Sequence, residues 1–153
     1  MTAARDCPAC GAGRPAPLFV KDGHAMVRCA DCGCVYLAQD PATIDFQALY
    51  GESYYTGGSD AVFADYVGQE AARRAQARRK LWLLRHLPPR LPAAGRLLDV
   101  GCAAGFFLAE AKRFYEVQGV ELSTWSSAYA RERLGLPVIT GTLQQAALPE
   151  KYF

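Results

Sequence analysis

Asp99 closes a short apolar run, RLLDV, and a small-residue bend, GCAAG, follows it over Gly101, Cys102, Ala103 and Gly105. A second acid, Glu121, ends the next apolar run, EVQGVE. Glycine after a first strand lets backbone approach a ligand closely, as in the G-x-G-x-x-G loops that cradle a pyrophosphate. That pattern fails here, because Ala103 stands between Gly101 and Gly105. A carboxylate ahead of the bend repels a diphosphate and attracts an ammonium group. An acid at the end of a second strand accepts hydrogen bonds from both hydroxyls of a ribose. The two acids therefore predict a cradle for a ribose that carries a cationic tail. Cys102 is flanked by small residues, with no histidine or lysine nearby in sequence to activate it, so it is given no nucleophilic role.

Five of the six cysteines lie in the first 34 residues, and two pairs stand out, CPACG at 7–11 and CADCG at 29–33. Two residues between cysteines let one tight turn present both thiolates to one ion, and the glycine that follows can take positive φ. Cys7, Cys10, Cys29 and Cys32 are thus expected to hold a structural zinc ion in a closed four-sulfur site, with no open position for catalysis. Zinc would stabilise a module of some forty residues that is too small for a core of its own. Cys34 is a spare thiol and His24 a surface residue. Without a secretory signal, such clustering argues for metal before disulfides.

The elements that must carry these residues follow from the pattern. APLFV and AMVRC are expected strands of a hairpin turned at KDGH. Glycines 51, 57 and 58 with Ser53 and Ser59 predict a loop, in which Leu49, Tyr50, Tyr54 and Tyr55 pack on a neighbour or cover a ligand. Residues 61–87 read as helix, with a break at Gly68, a core face of Ala77, Leu81 and Leu84, and an end at PPRLP. RLLDV, EVQGVEL and PVIT are expected strands. The segments FFLAEAKRF and STWSSAYARERLG are expected helices, the second capped by Ser123 or Thr124 and ended by Gly135. The fold class is α/β: a zinc ribbon over 1–40, an aromatic loop and helical linker over 41–94, and a β-α-β-α-β half of a Rossmann-like doubly wound sheet over 95–153.

The bulk composition restricts function without selecting one. Residues 1–40 carry four basic and four acidic side chains, residues 41–94 seven and five, residues 95–153 six and six. No region has the excess expected of a nucleic-acid binder. Arg73, Arg74, Arg78, Arg79, Lys80, Arg85 and Arg90 read as the solvated face of the helix, with no aromatic residues interleaved among them. No apolar run is long enough to span a membrane and no leader is evident, so cytoplasmic location is the default expectation.

LLDVGCAAGFFL with VQGVELS resembles the first two motifs of class I S-adenosylmethionine-dependent methyltransferases. The resemblance implies that Asp99 and the bend from Gly101 through Cys102 and Ala103 to Gly105 hold the methionine end of S-adenosylmethionine. It also implies that Glu121 binds the ribose and that Leu122 packs on the adenine. Thr142 stands where the family often has an acid for the adenine amine. The four-cysteine ribbon and the YGESYY segment resemble a bacterial subgroup associated with cell-surface sugars or small metabolites, in which Tyr54 or Tyr55 would close over the cofactor. The expected function is methyl transfer to a small-molecule or sugar acceptor, with no catalytic base assigned.

Family members have a seven-stranded sheet, and this sequence supplies about three strands. The expectation is therefore an amino-terminal portion with little or no activity alone, whose RLLDV edge favours self-association. The alternative is an RNA- or protein-binding zinc-ribbon module, as carried by some ribosomal RNA methyltransferases.

Overall fold

The computed structural model describes residues 5–57, 65–86, 88, 95–150 and 152–153. The chain divides into two compact units, Met1–Asp45 and Phe46–Phe153. The segment expected as a linker over 41–94 does not stand apart, since from Phe46 onward it belongs to the second unit.

The first unit is a three-stranded antiparallel sheet of β1 (Pro15–Lys21), β2 (His24–Cys29) and β3 (Val35–Leu37), in that order. Asp22 and Gly23 turn β1 into β2 with φ of 50° and 79°. Positive φ at both central residues matches the right-handed twist of the flanking strands, which is why Asp-Gly makes this turn. The two cysteine knuckles are built alike. The Gly11 N–H donates to the Cys7 carbonyl at 2.8 Å and the Gly33 N–H to the Cys29 carbonyl at 3.0 Å, and both glycines have φ near 75°. The Cys7 N–H then donates to the Ala12 carbonyl, and the Cys29 N–H to the Cys34 carbonyl. The core of this unit is small: Cys7, Val27, Cys29 and Tyr36. Leu18, Phe19 and Val20 of β1 lie exposed.

The second unit begins with two short helices, α1 (Phe46–Leu49) and α2 (Glu52–Thr56), where the sequence predicts a loop. The glycines that suggested the loop cap α2 instead. Gly51 is its N-cap, and Gly57, left-handed at φ 87°, is its C-cap and donates to the Ser53 carbonyl. Helix α3 runs Glu70–His86. It starts after a turn in which the Gly68 N–H donates to Asp65 Oδ1 at 2.7 Å, so Gly68 precedes the helix and does not divide it. The expected start at 61–64, the residues Gly58 and Ser59, and Arg90 with the end of PPRLP lie outside the described residues. Ala77 and Leu81 are buried as expected, whereas Leu84 is 44 % exposed.

Strands β4 (Arg96–Val100), β5 (Glu116–Glu121) and β6 (Val138–Thr140) form a parallel sheet in the order β4-β5-β6. Helices α4 (Phe106–Ala111) and α5 (Thr124–Leu134) supply the crossovers. This is the expected β-α-β-α-β half of a Rossmann-like sheet. Helix α4 is shorter than its sequence pattern, the chain leaving helix at Lys112. Ser123 caps α5 by accepting from the Ser126 N–H, and Gly135, at φ 60°, ends it. Gly119 lets β5 pass through the middle of the core: a Cβ there would meet Cys102 Sγ at 2.7 Å and Leu108 Cδ1 at 2.8 Å. Among the described residues β4 is an edge strand. Leu97 and Leu98 are half-buried, and Val100 is exposed. No helix of the described residues is long and apolar enough to cross a membrane.

Candidate functional site

The parallel register puts the carboxyl ends of β4 and β5 side by side, with Asp99 opposite Gly119 and Val100 opposite Val120. Ligands of open α/β sheets bind outside these ends. The bend follows directly. Gly101 turns at φ 77° and its N–H donates to the Val120 carbonyl at 2.7 Å. Ala103 is left-handed at φ 49°, which a side chain tolerates only at a cost of about 1–2 kcal/mol.

Glu121 holds this strained bend. The residue is 6 % exposed, and its Oε2 accepts from the Ala103 N–H at 2.8 Å while its Oε1 accepts from the Ser123 N–H at 2.8 Å. Each oxygen keeps a second lone pair, so the group can still accept from a ligand.

A cavity of about 410 Å³ opens over this carboxylate, within the usual range of ligand pockets. Gly101, Ala103, Glu121, Leu122, Thr142, Tyr54 and Tyr55 all line it. Tyr50 of the expected aromatic loop lines it as well, together with Tyr66 and Leu143, which the sequence reading left unassigned. Tyr50, Tyr54, Tyr55 and Tyr66 form an edge-to-face ladder with successive ring centres 4.9 to 5.5 Å apart. Burial pushes the Tyr55 phenol up to about 12 and raises Tyr54 and Tyr66, so these three phenols are neutral at physiological pH.

The tyrosine wall is fastened to the acidic turn by side chains. Gln47 Nε2 donates to the Leu122 carbonyl at 2.6 Å, and Gln47 Oε1 accepts from the Thr124 N–H at 3.2 Å. Ser123 Oγ donates to the Tyr50 carbonyl. No periodic signal marked Gln47, because its partners are backbone groups some 75 residues away.

Asp99 lines a second cavity, of about 510 Å³, that shares Tyr66, Gly101 and Ala103 with the first. Lys80, Leu83 and Leu84 of α3, one helix face at i, i+3 and i+4, line it too. This accounts for the exposed Leu84, which faces a cavity and not the core. Burial raises the Asp99 carboxyl, Glu121 adds to the rise, and Lys80 opposes it.

Cys102 is buried at the floor of this cavity, and burial with the two acids pushes its thiol up to about 12, which leaves it inert. Gly105 lines neither cavity. It is the left-handed N-cap of α4, and a Cβ on it would meet Leu136 Cδ1 at 2.6 Å and Ala130 Cβ at 3.1 Å, so its role is close packing against α5. Thr142 borders the first cavity, and Gln145 engages its backbone N–H and one lone pair of its hydroxyl. Its Oγ1 accepts from the Gln145 N–H at 3.2 Å, and Gln145 Oε1 accepts from the Thr142 N–H at 2.8 Å, a reciprocal capping pair.

In the first unit the sulfurs of Cys7, Cys10, Cys29 and Cys32 lie within 4.8 Å of one another. Cys7 and Cys32 are 3.6 Å apart, and Cys10 and Cys29 are 3.7 Å apart. The edge of a tetrahedron with metal–sulfur bonds of about 2.3 Å is about 3.8 Å, so the cluster can hold a metal ion of zinc's size. Desolvation opposes a thiolate at Cys7 but is outweighed by the Ala9 and Cys10 N–H groups, and that thiol falls to about 6. The Ala12 N–H favours a thiolate at Cys10, but the neighbouring sulfurs, Cys32 first, push it up to about 12. Cys34 stands outside the cluster, and His24 pairs with Gln39 at the surface.

No family model and no curated protein matches the chain. Several solved structures are similar over about half of it. One is DesVI of Streptomyces venezuelae, 31% identical over 50% of this chain and 32% of that chain, with a TM-score of 0.41. Another is CalS10, an amino pentose methyltransferase from Micromonospora echinaspora solved with SAM bound. It is 27% identical over 55% of this chain and 37% of that one, at a TM-score of 0.39. A third is the sugar N-methyltransferase KedS8 from a Streptoalloteichus species, 34% identical over 53% and 36%, at 0.34. The chain spans about a third of the length of these structures.

Proposed function

We propose that this chain is the cofactor-binding part of a class I S-adenosylmethionine-dependent methyltransferase whose acceptor is a small molecule or a sugar, and that its first unit is a zinc ribbon. The observation that carries the reading is Glu121: a buried carboxylate at the end of the central strand, beside a left-handed bend, roofed by tyrosines. The residues present fit the cofactor. Glu121 has lone pairs left for two ribose hydroxyls, and Leu122 and the tyrosines give an apolar, neutral wall for a flat base. The second cavity offers Asp99 to an ammonium and Lys80 to a carboxylate, the two ends of an amino-acid tail. A diphosphate would meet Asp99 instead of a third glycine and an open helix start.

Bound there, S-adenosylmethionine supplies an activated methyl group on a sulfonium. The residues of this chain bind and orient. Glu121 fixes the ribose and the bend together, the tyrosine wall excludes water, and Asp99 places negative charge near the cationic end. Such positioning is the main source of rate in methyl displacement. Methyl transfer itself is proposed of the whole protein.

Four thiolates in a closed tetrahedron favour zinc over harder cations and leave no site for water, so the ion would hold the ribbon together. Titration calorimetry with S-adenosylhomocysteine tests the cofactor reading. One site per chain is expected, without competition from NAD. No binding up to millimolar ligand, or preferential binding of the dinucleotide, overturns it.

A further inference from the structure

A different face of α3 is unaccounted for by this site. The helix carries six cations against one acid, Glu70. Arg78, Trp82 and Arg85 stand at i, i+4 and i+7 and so share a face. Beside them Glu110 of α4, 6 % exposed, accepts from Arg74 at 3.3 Å and Arg78 at 3.2 Å, and its other oxygen lies 3.8 Å from Arg113. Arg74 also pairs with Glu70 at 2.6 Å. Three guanidiniums thus meet two carboxylates, and the side chains of Arg78 and Arg113 remain 52% and 65% exposed. The buried acid anchors Arg74, Arg78 and Arg113 while much of the Arg78 and Arg113 side chains stays exposed.

A merely solvated helix face needs no aromatic rings. Here Trp82 is 56 % exposed and Phe114 is 37 % exposed. The Arg85 guanidinium lies 4.0 Å from the centre of the Phe114 ring, and His86 stacks on Trp82 with centroids 4.8 Å apart. All of these groups line one hollow of about 170 Å³. Cations and rings do alternate on this face, contrary to the sequence reading, because helical spacing brings Trp82 between arginines and the turn after α4 contributes Phe114.

We propose that this α3–α4 face binds single-stranded nucleic acid. Guanidiniums that track phosphates and an exposed indole on which a base can stack are the two requirements of such binding. An acidic peptide would satisfy the arginines and leave the rings in water.

The test is fluorescence anisotropy of a labelled oligouridylate of twelve nucleotides with the zinc-loaded full chain over a salt series. Binding is expected to weaken with salt at a log–log slope of about −0.7 for each phosphate contacted. Trp82→Ala should weaken it at least ~5-fold, with Trp82→Phe restoring most of the loss. Arg85→Glu should weaken it and flatten the slope by about one unit. All three variants should leave S-adenosylhomocysteine binding unchanged, which separates this face from the cofactor site. Three results would overturn the proposal: no binding at about 50 mM salt, binding indifferent to all three variants, or displacement by polyglutamate or ring-free polyphosphate as effective as by the unlabelled oligonucleotide.

Discussion

Glu121 holds the bend and is proposed to hold the ribose with the same carboxylate, and substitutions there report on both. Glu121→Gln keeps the shape but turns one acceptor into a donor, so an amide N–H would face the N–H of either Ala103 or Ser123. The bend then loses its anchor and the ribose loses charge-assisted partners. S-adenosylhomocysteine affinity should fall by about 2 kcal/mol, roughly 30-fold, in titration calorimetry. An unchanged affinity would place the ligand hydroxyls elsewhere. Asp99 presents the opposite balance. Its carboxyl is raised above the usual 3.8, chiefly by burial, so the folded state resists its ionisation. Below 3.8 both folded and unfolded chains hold the proton and nothing is lost. As pH rises through the interval up to the raised value, the unfolded chain ionises first, and the destabilisation is complete at neutral pH. Asp99→Asn should therefore raise the melting temperature of the second unit at pH 7 and leave it unchanged below pH 3.8. It should also weaken cofactor binding. Thermal melts followed by tryptophan fluorescence will show this, because Trp82 and Trp125 both belong to that unit.

At the level of elements, the fold was most readable where one local rule decides the outcome. Asp22-Gly23 demands a hairpin turn, the C-x-x-C-G repeats demand matched knuckles, and short apolar runs separated by helix formers demand a parallel sheet. It was least readable where a residue's job depends on a distant partner. Gly51 and Gly57 looked like loop residues, and as caps they define α2. Leu84 fits a core stripe, and it faces a cavity because the groups beside it come from β4 and α4. Thr142 occupies a promising position, and Gln145 takes its hydrogen bonds. Gln47 is the strongest example: it is unremarkable in sequence, and it bolts the tyrosine wall to the turn after β5. Two hydrogen bonds worth about 0.5–1.5 kcal/mol each hold that wall in place. Gln47→Ala should speed S-adenosylhomocysteine release by about 10-fold in stopped-flow measurements, with the association rate little changed. Gln47→Glu keeps the acceptor for Thr124 but loses the donor to Leu122, so it should fall between wild type and alanine. Equal release rates in all three would show that the wall is held by other contacts.

For the molecule as a whole, the two units draw stability from different sources. The second has a contiguous apolar core that includes Leu81, Leu108, Val117, Leu136 and Val138. In the first, two of the four buried core residues are cysteines of the cluster itself. A unit so small, with Leu18, Phe19 and Val20 of β1 left exposed, would depend on the proposed zinc, since for structural zinc sites the binding free energy is the folding free energy. A strong chelator should therefore release one zinc per chain and abolish amide protection in β1 to β3. The tryptophan-monitored melt of the second unit should stay within about 1 °C of its untreated value, since nothing in that core contributes to the metal site. Cysteine variants sharpen the test. Cys10→Ser removes a ligand and should reproduce the effect of the chelator, whereas Cys34→Ser, outside the cluster, should retain the ion at full stoichiometry. Mild acid should act like the chelator, because protons compete with the metal for all four thiolates. Elemental analysis that found no zinc in the untreated protein, or protection in β1 to β3 that survived chelation, would mean that the small core folds without the ion.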